Sequence, residues 1–398
     1  MERPATSART DECAAPAYRD PEPFSVTARG QDLTFYPAGK DRLARLVELI
    51  EGAETSLRLA FYIFADDDSG TRVRDALVAA ARRGVAVSLV VDGFGAAAPM
   101  EFFAGLVEAG GCFCWFQPHW SVRYLIRNHQ KIVVADEKVA MLGGFNVQDD
   151  YFAPPEANGW NDLGFTVEGS LVDRVTAWFD QLERWTRNPR AQFRTIRRMV
   201  REWDAGTDPL RLLVGGPTRS LSNWSRSVGR DLIHGQRLDM MMAYFSPPLR
   251  LSRRIRRIAR KGRTRLVFAA KSDNAATIGA SRWLYRKLLK AGARIYEFEP
   301  CKLHTKLIVL DDAVYLGSAN FDMRSLYINL EIVVKIEDEA LAERMRAFIG
   351  QHIPASLEVT GELHRQRSSL WNRVRWAACW FLVSVVDYTV SRKLNPTF

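Results

Sequence analysis

The sequence predicts an α/β protein built as two tandem α/β/α sandwich repeats related by pseudo-two-fold symmetry. Three observations predict it. His129, Lys131 and Asp136 in NHQKIVVAD recur as His304, Lys306 and Asp311 in LHTKLIVLD, each 175 positions later. The flanking segments recur with them. MLGGFN (141–146) matches YLGSAN (315–320), and LVEAGGCFCWFQP (106–118) matches LLKAGARIYEFEP (288–300). Finally, each copy alternates apolar strand patterns with helical ones, the signature of a largely buried sheet covered by helices.

Taken in order, the first 30 residues form a lead. MERPATSARTDECAAPAYRDPEPF is rich in Pro, Ala and charge and has no apolar h-region. It reads as a disordered segment rather than a signal peptide. The first repeat spans 31–200. In it FYIF (61–64) ends an apolar strand, and Asp66, Asp67 and Asp68 read as a polar loop with a helix cap rather than a cation site. VRDALVAAARRGVAVSLVVDG (73–93) reads as helix, glycine stop and buried strand. An Arg-rich stretch, 184–205, marks the joint. The second repeat, 201–353, restates these elements in AYFS (243–246) and SRRIRRIARKGRTRLVFAAKS (252–272). Ile255, Ile258 and Ala259 form the buried stripe of that basic helix. Residues 354–398 form an amphipathic tail. Its Trp371, Trp376 and Trp380 lie near Arg373, Arg375, Arg392 and Lys393, as in an interfacial helix. Its apolar run WAACWFLVSVV (376–386) is about half of what a bilayer requires.

Composition narrows the partners. Against 46 Asp and Glu stand 56 Lys and Arg, a net charge of +10 over 398 residues. That balance favours a polyanionic partner, either nucleic acid or an anionic membrane surface. The Trp-bearing tail inclines towards lipid and disfavours nucleic acid. The five cysteines, at 13, 112, 114, 301 and 379, form no CxxC pair. A zinc cluster or disulfide framework is not expected, and a reducing compartment fits.

The chemistry follows from the repeated motif. Alternation along a strand puts His129 and Lys131 on one face, and likewise His304 and Lys306. A pseudo-two-fold pairing brings both sets to one interface. There Lys131, Lys306, Asn146 and Asn320 can neutralise and orient the oxygens of a phosphodiester without metal or cofactor. One imidazole can attack phosphorus while the other moves protons. Asp162 in GWNDLGFTV and Glu331 in YINLEIVV fall at matching places in the repeat and are expected to orient the histidines. Asp136 and Asp311 sit in the turns after the strands and look structural. Ser318, where the first copy has Gly144, is expected to donate to the phosphate or to its own loop, so the half-sites are not equivalent. His119, His234, His352 and His364 lack the motif context and are expected to be structural or exposed.

HQKIVVADEKVAMLGGFN and HTKLIVLDDAVYLGSANFD resemble the paired HxKxxxxD motifs of the phospholipase D superfamily, over about residues 31–353. The continuation GSANFDMRSLYINLEI resembles bacterial cardiolipin synthases more than nucleases. Without N-terminal membrane spans, the chain looks like the short peripheral subfamily. It departs from the family pattern where Glu137 and Asp312 replace the usual glycine after the motif aspartate. The resemblance implies a catalytic set of His129, Lys131, Asp136, His304, Lys306 and Asp311. It makes His129 the nucleophile and His304 the acid/base, an assignment that the internal symmetry leaves reversible. It also implies transfer of a phosphatidyl group from a phospholipid to phosphatidylglycerol through a covalent phosphohistidine, at the cytoplasmic face of the inner membrane. The alternative is a phospholipase D, phosphodiesterase or nuclease that uses water as acceptor. Donor, acceptor and oligomeric state are open at this level.

Overall fold

The computed structural model describes residues 18–117, 126–188, 193–218 and 221–386. Two eight-stranded sheets carry the fold. The first runs, in spatial order, Phe24–Ala28, Gln31–Tyr36, Gly164–Glu168, Val139–Gly143, Ile132–Ala135, Ser56–Phe61, Ala86–Asp92 and Cys112–Phe116. The second runs Leu210–Gly215, Glu331–Glu337, Ala313–Gly317, Lys306–Leu310, Leu238–Met242, Thr264–Ala269, Arg294–Phe298 and Ser356–Glu358.

Seven strands of each sheet follow the same order, with the same senses of pairing. Ser56–Phe61 pairs parallel with Ala86–Asp92 and antiparallel with Ile132–Ala135. Leu238–Met242 pairs parallel with Thr264–Ala269 and antiparallel with Lys306–Leu310. The sequence repeat is thus a structural repeat. The two sheets differ at their edges, where the first adds Phe24–Ala28 beyond Gln31–Tyr36 and the second adds Ser356–Glu358 beyond Arg294–Phe298.

The parallel pairs need helical crossovers, and the helices between them are amphipathic. Asp68–Arg82 begins at Asp67, whose carboxylate accepts from Gly70 N at 2.8 Å, so the acidic run caps a helix as expected. The chain leaves this helix through Gly84 at φ +94°, and the corresponding Gly262 stands at +80°. That left-handed turn costs a glycine little and other residues more. The basic helix Leu249–Ala259 buries Ile255, Ile258 and Ala259. Two helices, Leu171–Arg187 and Glu339–His352, contribute Trp178, Phe179, Phe348 and Ile349 to a core shared by both sheets. Separate cores lie under the crossover helices of each repeat.

Two expected boundaries shift. The described part of the lead is structured: Phe24–Ala28 pairs with Gln31–Tyr36, and Phe24 stacks on Phe35 at 4.9 Å. The tail is not a free appendage either. Ser356–Glu358 closes the second sheet against Arg294–Phe298, and Leu370–Phe381 packs along Ala275–Leu289. His119, Arg392 and Lys393 lie outside the described residues. Among those described, no helix is long and apolar enough to cross a membrane.

Candidate active site

The two His-x-Lys segments meet where the repeats abut, and the backbone itself makes the join. His129 N donates to Leu330 O at 3.0 Å, and His304 N donates to Asn161 O at 2.8 Å. In each case the acceptor is the residue just before the orienting carboxylate. A short parallel ladder, Lys302–Leu303 with Trp160–Asn161, and a bridge from Asn128 to Leu330 extend the contact.

This crossing delivers each histidine to the carboxylate of the other repeat. His129 Nδ1 lies 3.1 Å from Glu331, and His304 Nδ1 lies 2.7 Å from Asp162. With Nδ1 held by a carboxylate, Nε2 is the ring nitrogen that can turn to substrate, and in His304 it lies 3.5 Å from the Tyr151 hydroxyl. Both carboxylates are fully buried and well supplied with donors. Glu331 accepts from Ser318 Oγ at 2.5 Å and Ser325 Oγ at 2.7 Å, and Asp162 accepts from Leu163 N at 2.8 Å.

Lys131 and Lys306 are buried beside the histidines, and each ammonium donates to the carbonyl of the histidine two residues earlier. Asn146 and Asn320 are buried as well. Asn146 Oδ1 accepts from Ile63 N at 3.0 Å, which turns its amide N–H groups away from that loop. Asn320 Oδ1 has no hydrogen-bond partner among the described residues.

Burial governs the protonation states. It pulls His304 down to about 3, reinforced by Lys306 and only partly opposed by Asp162. It lowers His129 too, against the pull of Glu331. Both imidazoles are therefore neutral at pH 7 in the free site. Burial also draws Lys131 down to about 7 and Lys306 to about 8. Burial raises Asp162, but His304 and Lys306 outweigh it, so this carboxyl stays below its usual range. An anion placed beside these two ammonium groups would raise both lysines.

Three expected site residues take other parts. Asp136 and Asp311, carried with the catalytic set by the motif, stand at the far end of their strands, about 16 Å from the lysines at ~3.3 Å per residue. Asp136 accepts from the backbone N–H of Glu54, Thr55 and Ser56 at 2.7–2.9 Å, and Asp311 accepts from those of Gln236 and Arg237. They pin the turn to the neighbouring strand, which their φ values of 53° and 48° also serve. Glu137, at φ 57°, stands in the left-handed region that favours glycine. Ser318, expected among the phosphate-binding groups, commits its one proton to Glu331, so it orients the carboxylate rather than the substrate.

Several contacts escaped the sequence reading. Tyr62 stands 5.1 Å from the His129 ring, and Tyr244 stands 6.4 Å from that of His304. They occupy matching places in FYIF and AYFS, so the repeat alignment carried the signal. Tyr151 and Trp160 flank His304 at ring distances of 5.0 and 5.1 Å. Arg42 had no signal at all. Fully buried, it donates to the carbonyls of Asp162 at 2.6 Å, Tyr151 at 2.8 Å and Trp160 at 3.1 Å, tying the Asp162 loop to the first repeat.

Two tandem α/β repeats that set paired His-x-Lys motifs and cross-matched carboxylates at one seam define an enzyme of the phospholipase D superfamily. Residues 46–183 and 231–353 match the family described as cardiolipin synthase, PLD-like domain, and the chain belongs to that family of phosphatidyltransferases. It is 28% identical over 371 residues to the major cardiolipin synthase ClsA of Bacillus subtilis (strain 168), covering 90% of this chain and 73% of that protein. It is 30% identical over 330 residues to cardiolipin synthase 1 of Bacillus anthracis, covering 78% and 64%. Among solved structures, the phosphatidylserine synthase of Haemophilus influenzae Rd KW20 superposes with a TM-score of 0.71 at 13% identity, over 91% of this chain and 97% of that one. The polyphosphate kinase of Porphyromonas gingivalis superposes at 0.55 and 16% identity, over 91% and 54%. These two likenesses are of fold.

Proposed function

We propose that the protein makes cardiolipin: it moves a phosphatidyl group from a phospholipid donor to the primary hydroxyl of phosphatidylglycerol, through a phosphohistidine. The observation that carries this reading is the pair of imidazoles at one seam, each backed by the other repeat's carboxylate and each with the lysine of its own motif buried beside it. An anionic diester bound between Lys131 and Lys306, with Asn146 and Asn320 on its remaining oxygens, loses the charge that repels a nucleophile. His129 Nε2 then attacks phosphorus. The bond from phosphorus to the leaving alcohol breaks, and a proton on His304 Nε2 goes to the departing oxygen. The incoming hydroxyl gives its proton back to His304 and attacks phosphorus. The phosphorus–nitrogen bond breaks and His129 is regenerated.

His304 must hold a proton for the first step, although the free site keeps it neutral. The bound phosphate supplies the reason: its negative charge offsets Lys306 and raises the imidazole towards neutrality. The exchange of leaving and incoming alcohols at one position needs no second site for chemistry. On this reading residues 31–200 and 201–353 each give half of the centre, the substrates are phospholipids, and the enzyme works at an anionic bilayer, on the cytoplasmic face of the cell membrane.

The test is lipid mass spectrometry after incubating purified protein with vesicles of phosphatidylglycerol and phosphatidylethanolamine. Cardiolipin together with released glycerol or ethanolamine, absent with His129→Ala and with His304→Ala, supports transfer and names the donor. Phosphatidic acid alone would sink the transferase reading and make water the acceptor. Acid-stable rather than acid-labile labelling of the trapped protein would sink the phosphohistidine.

A further inference from the structure

The helix Leu370–Phe381 has two apolar faces, and among the described residues only one has a partner. The inner face packs on Ala275–Leu289. There Trp376 is buried, its ring stacks on His364 at 5.4 Å, and Cys379 lies so close to Gly279 that a Cβ at 279 would come within 2.8 Å of the thiol. The outer face carries Leu370, Trp371, Val374, Phe381 and Leu382, which are 78, 74, 55, 53 and 56% exposed. Their spacing, with Ala378 between, follows one side of a helix. An apolar stripe of this length on one outer face marks a surface that meets something other than water.

Its surroundings say what. Arg373 and Arg375 flank the stripe, and the groove beside it, shared with Ala275–Leu289, is lined by Arg286, Lys287 and Lys290. Glu358 also lines this groove but pairs with Arg294. Apolar residues bordered by cations match an acyl layer beneath anionic headgroups.

Position supports the same occupant. Cys379 lies against Gly279, one turn inside Ala275–Leu289. The residue preceding that helix's N-cap, Asp273, accepts from Tyr244 O–H at 2.8 Å, and Tyr244 faces His304. Phe381 and Leu382 therefore continue the stripe towards the end of Ala275–Leu289 that lies beside Tyr244 and, through it, His304. We propose that this outer face of Leu370–Leu382 is the surface on which the enzyme lies on an anionic phospholipid bilayer, oriented so that substrate lipids reach the seam from the membrane plane. The inference rests on the phosphatidyl-transfer reading for its purpose, though not for its geometry.

The test compares wild type with the combined variant Trp371→Ser, Val374→Ser, Phe381→Ser and Leu382→Ser. All four side chains are exposed, so equal thermal melts are expected. Sedimentation with vesicles of phosphatidylglycerol and phosphatidylcholine should show the variant binding at least about tenfold more weakly. The ratio of transfer on vesicles to transfer on dispersed short-chain lipid should fall by a similar factor. Wild-type binding should also weaken with salt, and should be lost on pure phosphatidylcholine. Equal vesicle binding by the two proteins would overturn the proposal. So would a variant that only converts a dimer to a monomer, since the face would then belong to a second copy. Strong vesicle binding by a wild type that makes no transfer product would support the docking face while refuting the proposed reaction.

Discussion

His129 and Glu331 lie 202 positions apart in different repeats, yet their side chains meet at 3.1 Å at the seam between the repeats. Neither half of the chain contains a complete His–carboxylate couple. The backbone contact from His129 N to Leu330 O fixes the register that brings Glu331 under the imidazole, and the contact from His304 N to Asn161 O does the same for Asp162. Folding of both repeats against each other is thus a condition for assembling either His–carboxylate couple.

Glu331→Gln and Asp162→Asn should each lower kcat by about 10²–10⁴-fold with little change in KM, because each removes orientation and charge from an imidazole rather than a substrate contact. Steady-state kinetics on vesicles will check this. A change confined to KM would place the carboxylate at the substrate instead.

Alkaline pH should reduce kcat/KM. Lys131 and Lys306, drawn by burial to about 7 and about 8, are charged below those values and lose the charge as pH rises through them. The free enzyme then holds an anionic diester less well, so kcat/KM should decline above about pH 7. A pH–rate profile measures it, and an enzyme with undiminished kcat/KM at pH 9.5 would show that the lysines keep their protons.

The residues that follow the strands Val139–Gly143 and Ala313–Gly317, Gly144 and Ser318, are not interchangeable. A Cβ at Gly144 would meet the Asp162 oxygens at 2.7 and 2.8 Å and the Lys306 stem at 3.0 Å. Gly144→Ser should therefore displace Asp162 and cost at least as much activity as Asp162→Asn. Ser318→Gly removes one hydrogen bond from Glu331 and leaves those of His129 and Ser325. Its cost in kcat should be about tenfold. Kinetics of both variants, with a crystal structure of Gly144→Ser, will check the asymmetry.

Asp136→Asn should act on stability and not on chemistry. Its carboxylate accepts three backbone N–H groups and the Thr55 hydroxyl at the surface end of the strand. An amide offers one acceptor oxygen in place of two, so a loss of about 1 kcal/mol is expected, kept small by competing water. Urea unfolding measures this, and kcat of the folded variant should match wild type.

Much of the site was legible because the motif is short and local. His129 with Lys131 and His304 with Lys306 sit two apart on strands, so period-two geometry alone gives their common face. The repeat offset tied the two sets together and pointed to Asp162 and Glu331 by their matching places. Tyr62 and Tyr244 were within reach of the same alignment. The sequence by itself determined these residue types, their spacing, the α/β alternation and the twofold repetition, because each depends on near neighbours along the chain. Only the tertiary structure decided which carboxylate serves which histidine, since that depends on how the two sheets meet at the seam. It alone brought Arg42 under the Asp162 loop, where the guanidinium satisfies carbonyls that three separate segments leave buried. And it alone divided the C-terminal helix into a face held by Ala275–Leu289 and a face left outside, because helical periodicity marks an apolar side without naming what covers it.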